Sequence, residues 1–208
     1  MRSRALVSRR ALLGAGALAA VAWPLPAART VAGCAEWGAR VPAEQPEVVP
    51  RRPERVLVHH TATENVGDTS ERHAFELARF FQRLHTDDRG WGDTGQHFTI
   101  SRGGRVLEGR HGSLAALRSG DRLVEGAHCP GQNRTSVGIE NEGTYVTETP
   151  PAAQWDALVW MCARVCRQYD IPPTEIHGHR DFYGDTVCPG DAFYALLPRL
   201  RADVALAL

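Results

Sequence analysis

The sequence contains no lysine, so its 24 basic residues are all arginine. This absence excludes Schiff-base chemistry and any mechanism that needs a lysine amine. The 24 acidic residues bring the formal net charge to zero. A neutral chain argues against a partner held by bulk charge, such as nucleic acid or an anionic membrane surface. With 43% hydrophobic and 23% charged residues, the composition is that of a globular protein.

The chain also lacks an apolar run long enough to cross a membrane. Near the N-terminus, Arg9-Arg10 precedes an apolar stretch that ends at Ala22, which is shorter than the roughly 20 residues of a spanning helix. The order basic, apolar, small is typical of a signal peptide. The arginine pair resembles a twin-arginine signal for export of folded protein, although such a pair also arises by chance in a basic segment. We predict a secreted protein without stable membrane insertion after cleavage.

The 208 residues leave room for one domain and an N-terminal extension. We predict a signal peptide over residues 1–33, an extended arm over residues 34–55, where prolines recur among charges, and a folded domain over residues 56–208. Cys162 and Cys166 lie in a helical pattern and are predicted to be buried thiols. Cys34 and Cys129 both lie in turn-like sequence, and a disulfide between them is a further hypothesis. Connectivity itself cannot be read from sequence.

Apolar strand patterns alternate with amphipathic helical patterns along the chain. Strands are predicted near residues 55–60, 136–143 and 175–178, with a hairpin over 95–109. Helices are predicted from Asp68, with Glu71 completing a capping box, to about His85, over 150–169, and from about 191 to 204. Residues 110–127 are predicted to be a surface loop. Together these patterns predict an α/β or α+β fold, with a central mixed β-sheet flanked by helices.

A histidine and a cysteine lie close together near the C-terminus, in His177-Gly178-His179-Arg180-Asp181 and Asp185-Thr186-Val187-Cys188-Pro189-Gly190. The intervening turn residues fold this stretch back, so that an imidazole and a thiol can meet. Catalytic zinc sites usually take three protein ligands. The third candidate is in the pair His59-His60 at the end of a predicted strand, where alternation lets only one ring face a given metal.

Five motifs in order resemble the type 2 N-acetylmuramoyl-L-alanine amidases, which are related to peptidoglycan recognition proteins and phage amidase-lysozymes. They are Val58-His59-His60-Thr61, Gly126-Ala127-His128 with Gly131 and Asn133, Ser136-Val137-Gly138-Ile139-Glu140, Gly178-His179-Arg180-Asp181 and Thr186-Val187-Cys188-Pro189-Gly190. The resemblance implies that family's fold and zinc-dependent hydrolysis of the amide between N-acetylmuramic acid and L-alanine in peptidoglycan. A cell-wall-associated enzyme is then expected, with a monomer as the default.

By the resemblance, the zinc ligands are His59, His179 and Cys188, and His60 is a packing residue. His177 is an alternative ligand, since it shares a face with His179 on the predicted strand. Asp181 is expected to orient a ligand, or else to form an ordinary surface pair with Arg180.

The resemblance also implies the catalytic residues, with one departure. Gln96 stands where many relatives have a tyrosine, and glutamine cannot exchange a proton near neutral pH. Intracellular anhydro-muropeptide amidases, which lack that tyrosine, use a glutamate that aligns with Glu140, so Glu140 is the predicted general base. Glu142 ranks second, or is a solvated strand residue. Thr186 is predicted to be an oxyanion donor, or else a turn hydroxyl.

Other positions match the family's substrate groove. Asn133 and Gln96 are predicted to bind substrate. His128 is predicted to contact the substrate or to help stabilise charge, or else to be an ordinary loop histidine. Two further functions stay open: a peptidoglycan-binding recognition domain without turnover, and a zinc peptidase of the stem peptide. Cys188 argues against the first, because relatives thought to have lost activity lack the cysteine ligand, while Gln96 leaves it some room.

Overall fold

The computed structural model describes residues 29–208. Most of the predicted signal peptide therefore lies outside the described residues. The last part of the segment predicted as signal peptide does not, because Val31–Ala32 forms a strand that pairs in parallel within the central sheet. Part of the segment predicted as signal peptide therefore belongs to the central sheet.

The described chain contains eight strands: β1 Val31–Ala32, β2 Val48–Val49, β3 Arg55–His60, β4 Phe98–Ile100, β5 Val106–Glu108, β6 Leu123–Val124, β7 Ser136–Asn141 and β8 Ile176–Gly178. Six of them form one sheet in the order β1-β5-β4-β7-β3-β8, and β2 pairs with β6. The β4–β5 hairpin is antiparallel, whereas every other neighbouring pair of the six-stranded sheet is parallel. The predicted mixed sheet and its hairpin are confirmed.

Helices cover both faces of this sheet. They are α1 Cys34–Trp37, α2 Glu71–Arg83, α3 Ser113–Ser119, α4 Ala152–Tyr169, α5 Asp191–Tyr194 and α6 Leu197–Ala207. A π-helical turn, Leu84–Asp88, extends α2, and a 3-10 turn, His179–Asp181, follows β8. Within residues 29–208, no helix has the length and apolar composition needed to cross a bilayer.

Strand β3 shows how alternation separates the two faces. Val56 and Val58 join the larger core, which α3, α4 and α6 complete on one side of the sheet. On the other side, α1 and α2 pack over Leu107 of β5 in a smaller cluster. His59 faces this second side, where Phe81 of α2 lies beside it in a common cavity. The face of the sheet that carries this cavity is therefore the α2 face.

Three local predictions were wrong. The predicted loop 110–127 contains α3, whose ends are marked by Gly112 and Gly120 in the left-handed conformation. The predicted arm contains α1, and Trp37 at its end is 1% exposed, with its indole N–H donating to the Glu108 carbonyl at 2.8 Å. The predicted last helix is two helices, α5 and α6. Elements this short carry little hydrophobic periodicity, so tertiary contacts decide them.

The start of α2 also differs from its prediction. Ser70 is the N-cap, and its hydroxyl accepts the His73 N–H at 3.2 Å, while Asp68 accepts the Ser70 N–H at 2.9 Å.

Glu142 is not solvated: it is 1% exposed and its carboxylate lies 2.5 Å from His73 Nε2. It also accepts the Arg102 N–H at 2.7 Å, so it joins α2 to the β4–β5 turn.

All five cysteines lie in the described part of the chain and all are free thiols. The hypothesis of a Cys34–Cys129 disulfide was therefore wrong. Cys34 packs with α1 and α2 and donates to the Gly109 carbonyl at 3.5 Å, whereas Cys129 belongs to the loop that follows His128. Cys162 and Cys166 are buried in α4, as predicted.

Candidate metal centre and catalytic cavity

Three neighbouring parallel strands end at the same edge of the sheet, and each contributes to one site. The register pairs His59 at the end of β3 with Glu140 on β7. Residues in register on adjacent strands point to the same face, so the imidazole and the carboxylate share one side of the sheet. His179 comes directly after β8, which pairs with the other edge of β3. Sheet topology thus brings together groups that are far apart in sequence.

Cys188 completes the group. The ligand atoms of His59, His179 and Cys188 all lie within 4.8 Å of one another. The sulfur is 3.7 Å from His59 Nδ1, and the His59 and His179 rings have centroids 4.5 Å apart. Tetrahedral bonds of about 2.0–2.3 Å would place ligand atoms roughly 3.4–3.8 Å apart, so a small closure of these side chains would be enough to hold zinc.

The chemistry of this group fits a zinc ion. Two imidazoles and one thiol are the nitrogen and sulfur donors that zinc prefers. His179 Nε2 is buried without a hydrogen-bond partner among the described residues. A buried polar atom without a partner is unfavourable unless something else binds it. The residues present therefore fit the metal that the family resemblance implies.

The other histidines near this group have different contacts. His60 turns to the opposite side, where its Nδ1 accepts the Tyr145 N–H at 3.2 Å, in keeping with the predicted packing role. His177 lies outside the three-residue group. Its Nε2 is 3.4 Å from Glu175 and its ring packs edge-on against Phe182.

The loop that carries His179 and Cys188 is held by polar contacts of its own. Asp181 accepts the Gly178 N–H at 2.9 Å and the Tyr194 hydroxyl at 2.5 Å, so it supports the turn that carries His179. Arg180 pairs with Asp191 at 2.7 Å rather than with Asp181. Its guanidinium also donates to the Val187 carbonyl next to Cys188. The segment is therefore braced on both sides of the thiol.

Burial favours the neutral forms of the candidate ligands, which suits metal binding by His59 but opposes formation of the Cys188 thiolate. Burial, followed by the charges of neighbouring histidines, lowers the pKa of His59 far below its ordinary value, so its ring is neutral and keeps a lone pair. Burial and the nearby Glu140 carboxylate raise the pKa of the Cys188 thiol. The His60 N–H, 3.4 Å from the sulfur, favours the thiolate instead. The thiol must release its proton when a metal binds.

Glu140 is the carboxyl residue that lines the same cavity as the three candidate ligands. Burial raises its pKa from 4.5 to about 8, and the charge of Arg89 partly opposes this shift. Its Oε2 is buried without a hydrogen-bond partner among the described residues. Its charge also contributes to the raised pKa of Cys188, and both residues line the same cavity. A carboxyl group with a pKa near the working pH can both accept and donate a proton.

A cavity of about 360 Å³ opens over these groups. Seven of the eight predicted site residues line it: His59, Gln96, His128, Glu140, His179, Thr186 and Cys188. The eighth, Asn133, does not. Its amide oxygen accepts the His128 and Cys129 N–H groups at 2.8 and 2.9 Å. Asn133 shapes the loop that carries His128, and the predicted substrate contact finds no support in this geometry.

Gln96 and Thr186 line the cavity but already have contacts within the protein. The Gln96 amide donates to the Thr99 hydroxyl at 2.9 Å and is 2% exposed. The Thr186 hydroxyl accepts the Cys188 N–H at 3.1 Å, which is the turn contact that sequence offered as the alternative. Because that hydroxyl acts as an acceptor there, its own proton is still available to a ligand.

One wall of the cavity is formed by residues that the sequence patterns did not indicate. His85, Arg89 and Trp91 line it, on and just after the π-helical turn. The His85 ring stacks on Trp91 with centroids 4.7 Å apart, and the Arg89 guanidinium lies 5.1 Å from the Trp91 ring centroid. The helical pattern ends near His85, so no periodicity indicated that these side chains would turn towards the site.

Comparison with known proteins gives this site a family. The N-acetylmuramoyl-L-alanine amidase family profile matches residues 49–191. The chain belongs to this amidase family. Peptidoglycan-recognition protein LB of Drosophila melanogaster is 34% identical over 161 residues, covering 77% of this chain and 64% of that protein. The human N-acetylmuramoyl-L-alanine amidase is 32% identical over 174 residues, covering 81% of this chain and 28% of that protein.

A solved structure agrees with this assignment. Peptidoglycan recognition protein LE, in complex with tracheal cytotoxin, a monomeric diaminopimelic acid-type peptidoglycan, superposes with a TM-score of 0.69 at 26% identity. The match covers 81% of this chain and 92% of that one. The fold predicted from the family resemblance is therefore confirmed. The relatives include proteins named as amidases and proteins named as recognition proteins.

We expect this amidase-family protein, free of metal, to lose stability in mild acid. Burial holds the pKa values of His60, His85 and His97 down to about 4 each, from 6.5. Below about pH 6.5 these histidines become protonated in the unfolded chain, whereas in the folded protein they stay neutral until about pH 4. The free energy of unfolding therefore falls across that window by up to about 1.4 kcal/mol per pH unit for each group. Urea unfolding at pH 7, 5.5 and 4.5 measures this loss. Equal midpoints at all three would contradict it.

Proposed function

We propose that this protein is a zinc-dependent hydrolase of the amide between N-acetylmuramic acid and L-alanine in peptidoglycan. The observation that carries the proposal is the convergence of His59, His179 and Cys188 at the cavity, beside the unpartnered carboxyl oxygen of Glu140. Family membership supports the choice of bond, and the muropeptide bound by a structural relative supports the choice of substrate.

His59, His179 and Cys188 would hold the metal, and Glu140 would move the protons. Zinc at this position would supply a Lewis acid for the amide carbonyl and lower the pKa of the attacking water from about 15.7 towards about 7. Glu140 would accept a proton as the water oxygen bonds to the carbonyl carbon. It would then deliver that proton to the alanine nitrogen as the C–N bond breaks. An amine is a poor leaving group without this proton. The proton that Glu140 takes from the water is the one it would give to the nitrogen.

Other cavity residues would bind and steady the substrate. The Thr186 hydroxyl would donate to the carbonyl oxygen as its negative charge develops. Arg89 and the stacked pair His85 and Trp91 offer a cation and flat apolar faces on one wall. Gln96 takes the place of a proton-exchanging tyrosine, so the proposal assigns all proton transfer to Glu140.

The test is digestion of purified peptidoglycan by the zinc-loaded protein. We expect new L-alanine amino termini and intact glycan strands. New termini on other amino acids would instead identify a peptidase of the stem peptide. Binding to peptidoglycan without any release, from protein shown to contain zinc, would identify a recognition domain and overturn the proposed hydrolysis.

We also propose that the protein is exported to the cell wall, where its substrate lies. The predicted signal sequence supports this, with its Arg9-Arg10 pair. Replacing both arginines with lysine should block export if the twin-arginine route is used. Unchanged export of that variant would exclude the route while leaving export itself in place.

A further inference from the structure

The ring of His128 packs against two glycines, in space that a larger side chain at either position would fill. A Cβ added to Gly138 on β7 would lie 2.5 Å from the His128 ring carbon Cγ, and one added to Gly126 would lie 2.6 Å from Cδ2. Such distances are far below van der Waals contact, so any larger residue would displace the ring. The backbone of His128 is fixed as well, because its N–H donates to Asn133 at 2.8 Å. The ring is thus held in one orientation.

Both ring nitrogens of His128 have partners inside the protein. Nδ1 lies 3.0 Å from His59 Nε2, and Nε2 lies 3.5 Å from the Ser136 hydroxyl oxygen. That hydroxyl donates its own proton to the Gln132 carbonyl at 2.7 Å. A carbonyl can only accept, so the direction of this last hydrogen bond is certain.

The direction of the Ser136 to Gln132 hydrogen bond sets the direction of the other hydrogen bonds in this series. Since Ser136 gives its proton to Gln132, its oxygen is free to accept the Nε2 proton of His128. The Nδ1 of a neutral His128 ring then carries no proton and accepts one from His59 Nε2. His59 in turn keeps an unprotonated Nδ1, the nitrogen that lies 3.7 Å from the Cys188 sulfur.

We propose that His128 is a positioning residue that fixes the tautomer and ring angle of His59, so that His59 presents its Nδ1 lone pair to the metal. The hydrogen-bonded residues His59, His128, Ser136 and Gln132 form a tautomer relay, in which each bond fixes the direction of the next. This inference rests on the metal centre of the proposed function. It gives His128 a role other than the substrate contact predicted from sequence, because neither ring nitrogen is left for a ligand.

A neighbouring histidine cannot take over this role. The His97 ring packs edge-on against His128 with centroids 5.4 Å apart. Its Nδ1 accepts the Gly138 N–H at 2.9 Å, and its Nε2 donates to the Val124 carbonyl at 2.7 Å. Both of its nitrogens are therefore used to join β7 and β6. Among the described residues, His128 is the hydrogen-bond partner of His59 Nε2.

The first test measures zinc affinity by competition with a chromophoric chelator. His128→Leu removes the acceptor, and we expect zinc affinity to fall by about 10- to 100-fold, as when other partners of ligating histidines are lost. His128→Asn keeps an acceptor near the Nδ1 position and should restore most of the affinity. Ser136→Ala should give a smaller loss, because its contact is the longest in the relay. His177→Asn, a histidine outside the metal centre, is the matched control and should bind zinc like the unchanged protein.

The second test needs neither zinc nor activity. Nitrogen NMR of the metal-free protein labelled with ¹⁵N-histidine should show His59 protonated on Nε2 and His128 protonated on Nε2. His59 protonated on Nδ1 would overturn the proposal, and so would unchanged zinc affinity in a folded His128→Leu variant. If the spectra and affinities agree with the relay but peptidoglycan is not cleaved, the proposed hydrolysis fails and the relay stands.

Discussion

Glu140→Gln is expected to lower the turnover of peptidoglycan by roughly 10²- to 10⁴-fold, the usual contribution of a general base, with zinc content unchanged. The amide has nearly the shape of the carboxyl group but cannot accept the proton of the attacking water. Turnover is measured from released L-alanine amino termini, and zinc from metal analysis of the same sample. Full activity in this variant would remove Glu140 from the mechanism.

Glu142→Gln is the matched control, because it makes the same change two residues further along the chain. The carboxylate of Glu142 is engaged with His73 and the Arg102 N–H rather than with the cavity. Loss of a buried charged acceptor typically costs about 1–3 kcal/mol of stability. We therefore expect a lower melting temperature and a near-normal kcat for the folded protein. A loss of kcat as large as that of Glu140→Gln would instead point to Glu142, the second-ranked base.

The raised pKa of Glu140 also predicts how the stability of the Glu140→Gln variant depends on pH. A carboxyl whose pKa is raised from 4.5 to about 8 favours the folded state fully below pH 4.5, and this contribution disappears as the pH rises to 8. Glutamine does not titrate, so metal-free Glu140→Gln should keep its stability over that window better than the parent protein. Urea unfolding at pH 6 and pH 8.5 compares the two. Parallel stability profiles would show that Glu140 is not held in its protonated form by burial.

Cys188→Ala is expected to abolish stable zinc binding and, with it, turnover. The variant leaves only two imidazole ligands, one fewer than catalytic zinc sites usually have. Cys166→Ala, which removes another buried thiol from helix α4, should bind zinc normally and serves as the control. Zinc content after gel filtration and amino-terminus release are the two measurements. Normal zinc and normal turnover in Cys188→Ala would refute the proposed ligand set.

The same thiol predicts how zinc binding depends on pH. Burial and Glu140 keep the Cys188 thiol protonated without metal, and zinc must displace that proton. Apparent zinc affinity should therefore rise with pH, by up to about tenfold per unit from this group alone. Titrations at pH 6, 7 and 8 test it. A pH-independent affinity would mean that the sulfur is not a ligand.

Much of the fold followed from local patterns. Continuous apolar residues in β3 and the stripe of α2 identify buried elements, because a strand or helix must place such residues against a core. The shorter elements were not predicted, because they hold too little hydrophobic periodicity. The seven residues of α3 form a helix because Leu114 and Leu117 can pack into the larger core.

By itself, the sequence determined which chemical groups are available: the motifs around His59, His179 and Cys188 predicted a set of zinc ligands, and Glu140 with Gln96 indicated a candidate for the residue that moves protons. The tertiary structure decided which of these groups meet and what each one contacts. His128 and Asn133 show the difference, because the ring of His128 contacts His59 and the amide of Asn133 holds the loop that carries His128. Hydrogen-bond partners and burial arise between strands that are distant in sequence, and no local pattern encodes them.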